Sequence, residues 1–215
     1  MDLGIDPALL HRHIAVDIGT AALTHALAAR LEAPALLATV SRLVIDLHRP
    51  PDHPGLIPIH SDGHAIPGNV DADRSARIAR FHAPYHRAIA AEVRDCRPQL
   101  IVAVHSFTPA LEVSPTPRPW PVGILSNRDR RAADLAIGLL RDRGLNVGDN
   151  EPYSGRQLNM TLNRHGEANG IASVAIEVRN DQLRGPGGID HWADLRAEVI
   201  ATISATLASR YPGKV

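Results

Sequence analysis

Residues 101–104 read Ile-Val-Ala-Val, four apolar residues in succession. Runs that are apolar at successive positions leave no polar side for either face of a pleat. Strands of that kind are buried on both faces, as parallel strands are when helices cover the sheet above and below. Helix-length segments separate the strand-like runs, which predicts a three-layer α/β/α fold around a mostly parallel mixed sheet. The 215 residues allow one substantial domain, spanning 1–215. Hydrophobic residues make up 44% of the chain but aromatics only 3%, so its core must be built from Ala, Leu, Ile and Val.

Asp6 and Pro7 look like an N-cap and first helical position, opening a helix expected over 7–33. Residues 35–41 read as a strand. Five prolines between 47 and 70 make that stretch irregular, and so long a loop is expected to be functional or disordered. A helix over 71–96 contains Pro84 and is expected to kink there. Strands at 100–105, 121–126 and 171–179 alternate with helices at 131–144, 158–170 and 190–211. A short strand falls within 145–155.

Formal charge is zero, with 23 basic and 23 acidic residues and no basic stripe, which argues against a nucleic-acid surface. A single cysteine, Cys96, excludes an intramolecular disulfide and a multi-cysteine zinc cluster. No apolar run has membrane-spanning length, and the start "MDLGIDPALL" has no basic n-region ahead of an apolar h-region. The expectation is a cytoplasmic protein with no membrane or nucleic-acid partner.

Two strands end in ionisable groups. "IVAVHSFTP" runs into His105, a residue that either meets solvent at a strand end or serves a site at the carboxyl edge of the sheet. In "VAIEVRND", Glu177 stands among apolar neighbours; it either pairs with Arg179, two residues on, or is kept for chemistry. A metal-bound histidine and a glutamate base together suffice for hydrolysis by an activated water. Along the first expected helix, His13, Asp17, Thr20 and Thr24 fall at i, i+4, i+7 and i+11, either a solvated face or a polar edge turned towards a site. "SRLVIDLHRP" places Arg42, Asp46, His48 and Arg49 together, and the planar fork of Arg49 could dock a carboxylate. "IHSDGHAIPGN" is turn chemistry, and "HAPYHRAI" sets His82 and His86 four residues apart.

The ordered set "RHIAVDIG", "SRLVIDLHRP", "SDGHAIPGN", "PYHRAI", "VHSFTP", "RPWPVGIL", "VGDNEPYS" and "IEVR" resembles the N-formylglutamate amidohydrolase family, from about residue 11 to the last helix. The resemblance implies a zinc-exopeptidase-like α/β fold. "VAVHSFTP" and "VAIEVRND" are also similar to the zinc carboxypeptidase strands that end in a metal-binding His-Ser and in a catalytic Glu. That implies His105 as a zinc ligand and Glu177 as general base, with Asp17 and His13 as further candidate ligands. Arg49 and Arg179 are then candidates for substrate carboxylates, and Asn69 and His86 for the site lining. The implied reaction is zinc-dependent hydrolysis of an N-formyl or other N-acyl amino acid, such as N-formylglutamate, in histidine degradation. The alternative is a non-catalytic or N-terminally shortened relative that binds an acidic small molecule. Family members carry a further strand with an early histidine ahead of the segment that here reads "RHIAVDIG". Because the sequence begins just before that segment, the expectation is a weaker metal site. His48 stands where the family commonly has Asn.

Overall fold

The computed structural model describes residues 2–211. A 3-10 turn at Pro7–His11 leads through a loop into helix α1 (Thr20–Leu31). A two-residue hairpin, β1 (His60–Ser61) and β2 (His64–Ala65), precedes a continuous helical segment. That segment comprises α2 (Arg74–Arg77), a π-helical turn at Ile78–His82 and α3 (Ala83–Cys96). The rest alternates: β3 (Leu100–Phe107), β4 (Val122–Leu125), α4 (Arg131–Arg141), β5 (Val147–Asp149), α5 (Met160–His165), β6 (Ala172–Arg179) and α6 (Gly185–Arg210).

The main sheet has the order β3-β6-β4-β5, with β3 parallel to β6, β4 parallel to β5, and β4 antiparallel to β6. The expected mostly parallel, helix-flanked α/β sheet is therefore present. Period-two alternation divides its residues between the two faces. Ala172, Val174, Ile176 and Val178 of β6 join Val102, Val104, Val122 and Ile124 in the main core beneath α1, α4 and α6. On the opposite face, Ala175, Leu125, Ile101 and Ala103 pack with Leu162 of α5. Glu177 and His105 continue that second face by the same alternation.

The first expected helix is broken. Arg12 turns extended, residues 12–19 form turns, and Gly19 enters α1 with φ of 84°. Residues 35–41 form no strand and run largely exposed. Their apolar residues supply a strand-like composition, yet among the described residues no strand pairs with them. Pro84 sits in the first turn of α3, directly after the π-helical turn, so the ladder is interrupted where the proline was expected to disturb it. Strand β3, expected to be buried on both faces, lies at an edge of the sheet with Leu100–His105 only half-buried. The proline-rich stretch is ordered around a small core of its own, in which Ile45, Leu47, Leu56 and Ile57 pack against Ile78, Phe81 and Tyr85.

Two glycines meet specific needs. In "SDGH", Asp62 and Gly63 have φ of 42° and 84°, the double left-handed geometry of a type I′ hairpin turn. At Gly123 of β4, a β-carbon would meet the Glu151 carbonyl, so only glycine lets the "DNEP" loop cross this strand beside Glu177.

Candidate active site

Strands β3 and β6 are parallel and in register, with His105 directly opposite Glu177. Neighbours in a parallel pair present their side chains to the same face. Two chemically active groups thus lie side by side at the carboxyl ends of adjacent strands, where open α/β sheets place their sites.

His105 Nδ1 lies 2.7 Å from Asp17 Oδ2, and the other oxygen of Asp17 accepts a 2.7 Å hydrogen bond from Arg42. Asp17 is delivered by the turn before α1, and Ser106 ties that turn to β3 by donating to the Ile18 carbonyl at 2.8 Å. Burial works against the charged carboxylate of Asp17, but Arg42 and His105 outweigh it and hold the carboxyl well below its ordinary range. Burial also opposes a charged His105, yet the hydrogen bond and charge of Asp17, with that of Glu177, raise its pKa. Glu177 is 6% exposed. Burial and the nearby Asp17 charge raise its pKa, against the pull of His105, Arg42 and Arg196. A buried carboxyl whose pKa is raised in this way is a candidate proton acceptor and donor for a reaction at the sheet end.

The alternative pairing of Glu177 with Arg179 does not occur. Arg179 donates to Asp181 at 2.8 Å and to the Arg118 carbonyl at 2.9 Å. Arg118 in turn donates to the Tyr153 hydroxyl at 3.1 Å and lies over that ring. The Nε of Arg49 is 3.4 Å from Asp46, and its side chain is 26% exposed.

His13 does not join His105. Its Nε2 meets Asp62 Oδ2 at 2.8 Å, in a separate group with Glu112 whose potential ligand atoms all lie within 4.8 Å of one another. Asn69 is buried and donates to the carbonyls of Leu43 and Pro58 while accepting from Arg77, so it braces two loops. His86 is buried too; Nε2 donates to the Leu47 carbonyl at 2.9 Å, which leaves Nδ1 to accept from His165 Nε2 at 2.9 Å. Neither Asn69 nor His86 has a polar atom turned to a ligand in this arrangement.

His48, Arg42, Tyr153 and Arg118 carry no assigned role in the sequence reading, although three of the quoted motifs, "SRLVIDLHRP", "VGDNEPYS" and "RPWPVGIL", contain them. His48 packs 5.0 Å from the His105 ring. Its Nε2 donates to the Leu158 carbonyl and its Nδ1 accepts from Thr161. Both nitrogens are engaged, and burial with the His105 charge lowers its pKa to about 4.

The donor set can be tested against a zinc ion. Asp17 Oδ2 and His105 Nδ1 lie 2.7 Å apart, so an ion could replace the proton they share; an ion taken by Nε2 instead would leave Asp17 as the partner that orients the ring. Among the described residues no third His, Cys, Asp or Glu forms a trio with them. A catalytic zinc ordinarily takes three protein ligands. The residues present therefore fit at most two of those positions.

The buried histidines carry a pH prediction. His82, His86 and His165 all have lowered pKa values, chiefly through burial, with His86 at about 4. An unfolded histidine titrates at about 6.5. Between those values the unfolded chain binds more protons than the folded one, so stability falls as pH drops from about 6.5 towards 4. Thermal melts across that window should show a declining Tm, with a shallower slope in His86→Gln. A flat Tm would mean that the neutral histidine chain is not needed for the fold.

A family model described as N-formylglutamate amidohydrolase matches residues 2–184. A crystal structure of a gene product from Agrobacterium tumefaciens is 31% identical and superimposes with a TM-score of 0.87, over 95% of this chain and 84% of the other. An N-formylglutamate amidohydrolase from Ralstonia eutropha JMP134 is 20% identical with a TM-score of 0.49, over 63% of this chain and 54% of its own. No curated protein matches the chain. With the family model spanning most of its length, the chain belongs to the N-formylglutamate amidohydrolase family.

Proposed function

We propose that the chain hydrolyses the amide of an N-formyl amino acid, with N-formylglutamate as the leading substrate, giving formate and glutamate. The observation that carries this reading is the register pairing of His105 with Glu177, a buried carboxyl of raised pKa with no salt bridge to Arg179. Zinc held by His105 and Asp17 would supply an activated water and polarise the formyl carbonyl. Glu177 takes the proton of the attacking water and returns it to the leaving nitrogen. Arg42 keeps Asp17 ionised and so fixes the His105 ring. Arg49 and Arg179 would hold the substrate carboxylates. Membership of the family supports an amidohydrolase; the formyl group, the zinc and a cytoplasmic setting belong to this proposal, as does treating 1–215 as one functional domain.

The test is formate release from N-formylglutamate by the zinc-supplemented chain, followed by proton NMR. Formate and glutamate in equal amounts are expected. Saturable binding of N-formylglutamate with no formate would favour the alternative, an acidic-ligand binder, which the two-donor metal set also favours. Carboxylate docking has its own check. Arg49→Lys removes a planar two-point contact, so KM should rise more than kcat falls. An unchanged KM would move carboxylate recognition to another residue.

A further inference from the structure

We propose that His13, Asp62 and Glu112 form a second divalent-metal site, separate from the His105–Asp17 pair, that fastens the loop after β3 to the β1–β2 hairpin. Three distant parts of the chain bring these donors together: the turn before α1, the I′ hairpin tip and the loop between β3 and β4. Their ligand atoms lie within 4.8 Å of one another, close enough to share one ion.

The chemistry of the set suits a first-row divalent metal such as zinc, with one imidazole and two carboxylates and room left for water. His64 stands beside it, with Nε2 3.1 Å from Glu112 Oε2, as an orienting partner or fourth donor. Outer support is already built. Asp62 accepts from the Glu112 backbone N–H at 2.9 Å and from that of Val113 at 3.1 Å, and Arg12 pairs with Glu112. Such hydrogen bonds to ligating carboxylates are the usual second layer of a metal site. Access is provided as well, since the Asp62 side chain is 4% exposed at the base while Glu112 is 37% exposed at the rim.

The position gives the site a consequence. The loop it would fasten leaves β3 two residues after His105 and carries Arg118, which supports Arg179. An ion here would hold that loop over the end of the sheet without touching the reacting atoms.

The experiment titrates zinc into chelator-treated protein by calorimetry, in a His105→Ala background that disables the other pair. Uptake of one zinc per chain with a rise in Tm is expected. His13→Gln and Glu112→Gln, each in the same background, should weaken that binding on the order of 10–100-fold or more, since even outer-layer changes cost about that much. Asp62 is left intact because it also anchors the 112–113 backbone, and the metal-free Tm of each variant reports folding. Zinc uptake unchanged by either substitution, or no uptake by His105→Ala itself, would overturn the proposal and leave an ion-pair network. Neither outcome depends on formate release, so this site and the hydrolytic reading stand or fall separately.

Discussion

Glu177→Gln is expected to leave the fold and metal content intact and to remove nearly all turnover, by ~10²–10⁴-fold, the usual contribution of a positioned general base. The isosteric amide keeps the packing of a side chain that is 6% exposed, but it cannot take a proton. Because burial raises the pKa of Glu177, its ionised form defines the acidic limb of the rate profile, displaced upward from that of an ordinary carboxylate. Glu177→Asp should keep part of the activity while shortening the reach. A Gln variant with half the wild-type rate would show that the carboxyl has only a structural part.

Asp17→Ala should lower both stability and metal retention. Asp17 bridges Arg42 and His105 with its two oxygens, and its loss leaves both without their partner. Breaking a fully buried ion pair costs about 3–5 kcal/mol. The Arg42 side chain is 40% exposed, so water takes over part of its solvation and about 2–3 kcal/mol is a fairer expectation. For a chain of this size that is a fall in Tm of roughly 5–10 °C. Asp17→Asn keeps the shape and should lose less stability, yet it should retain zinc as poorly as the alanine. A Tm within a degree of wild type, with zinc retained, would mean that the bridge does nothing.

Strands β3 and β6 are legible in the sequence because their signal is local, whereas the apolar composition of 35–41 gives no strand. "IVAVHS" and "VAIEVR" fix two pleated runs, and the same alternation that buries Val102 and Val174 on one face sends His105 and Glu177 to the other. The first helix was misread for the converse reason. His13 and Asp17 keep helical spacing, but tertiary partners 49 and 88 residues away, Asp62 and His105, draw them into separate clusters. Gly19 supplies the break that permits it. Periodicity carries no information on such partners, so a stripe of polar residues on one imagined helix became two places in the fold. Asn69 and His86 sit in motifs that look functional, yet they are held by carbonyls of Leu43, Pro58 and Leu47, contacts that no spacing rule reveals. Arg42 was visible in "SRLVIDLHRP", and only the position of Asp17 shows why it matters.

The most direct measurement is a double-mutant comparison of formate release from N-formylglutamate, using zinc-supplemented wild type, Glu177→Gln, His105→Ala and the double variant. If the in-register pair of His105 and Glu177 acts as one site, each single substitution should fall to a common floor and the double should fall no further, because residues working as a unit are not additive. Losses that multiply in the double variant, or a His105→Ala protein that still turns over at the wild-type rate, would contradict a site built from that pair.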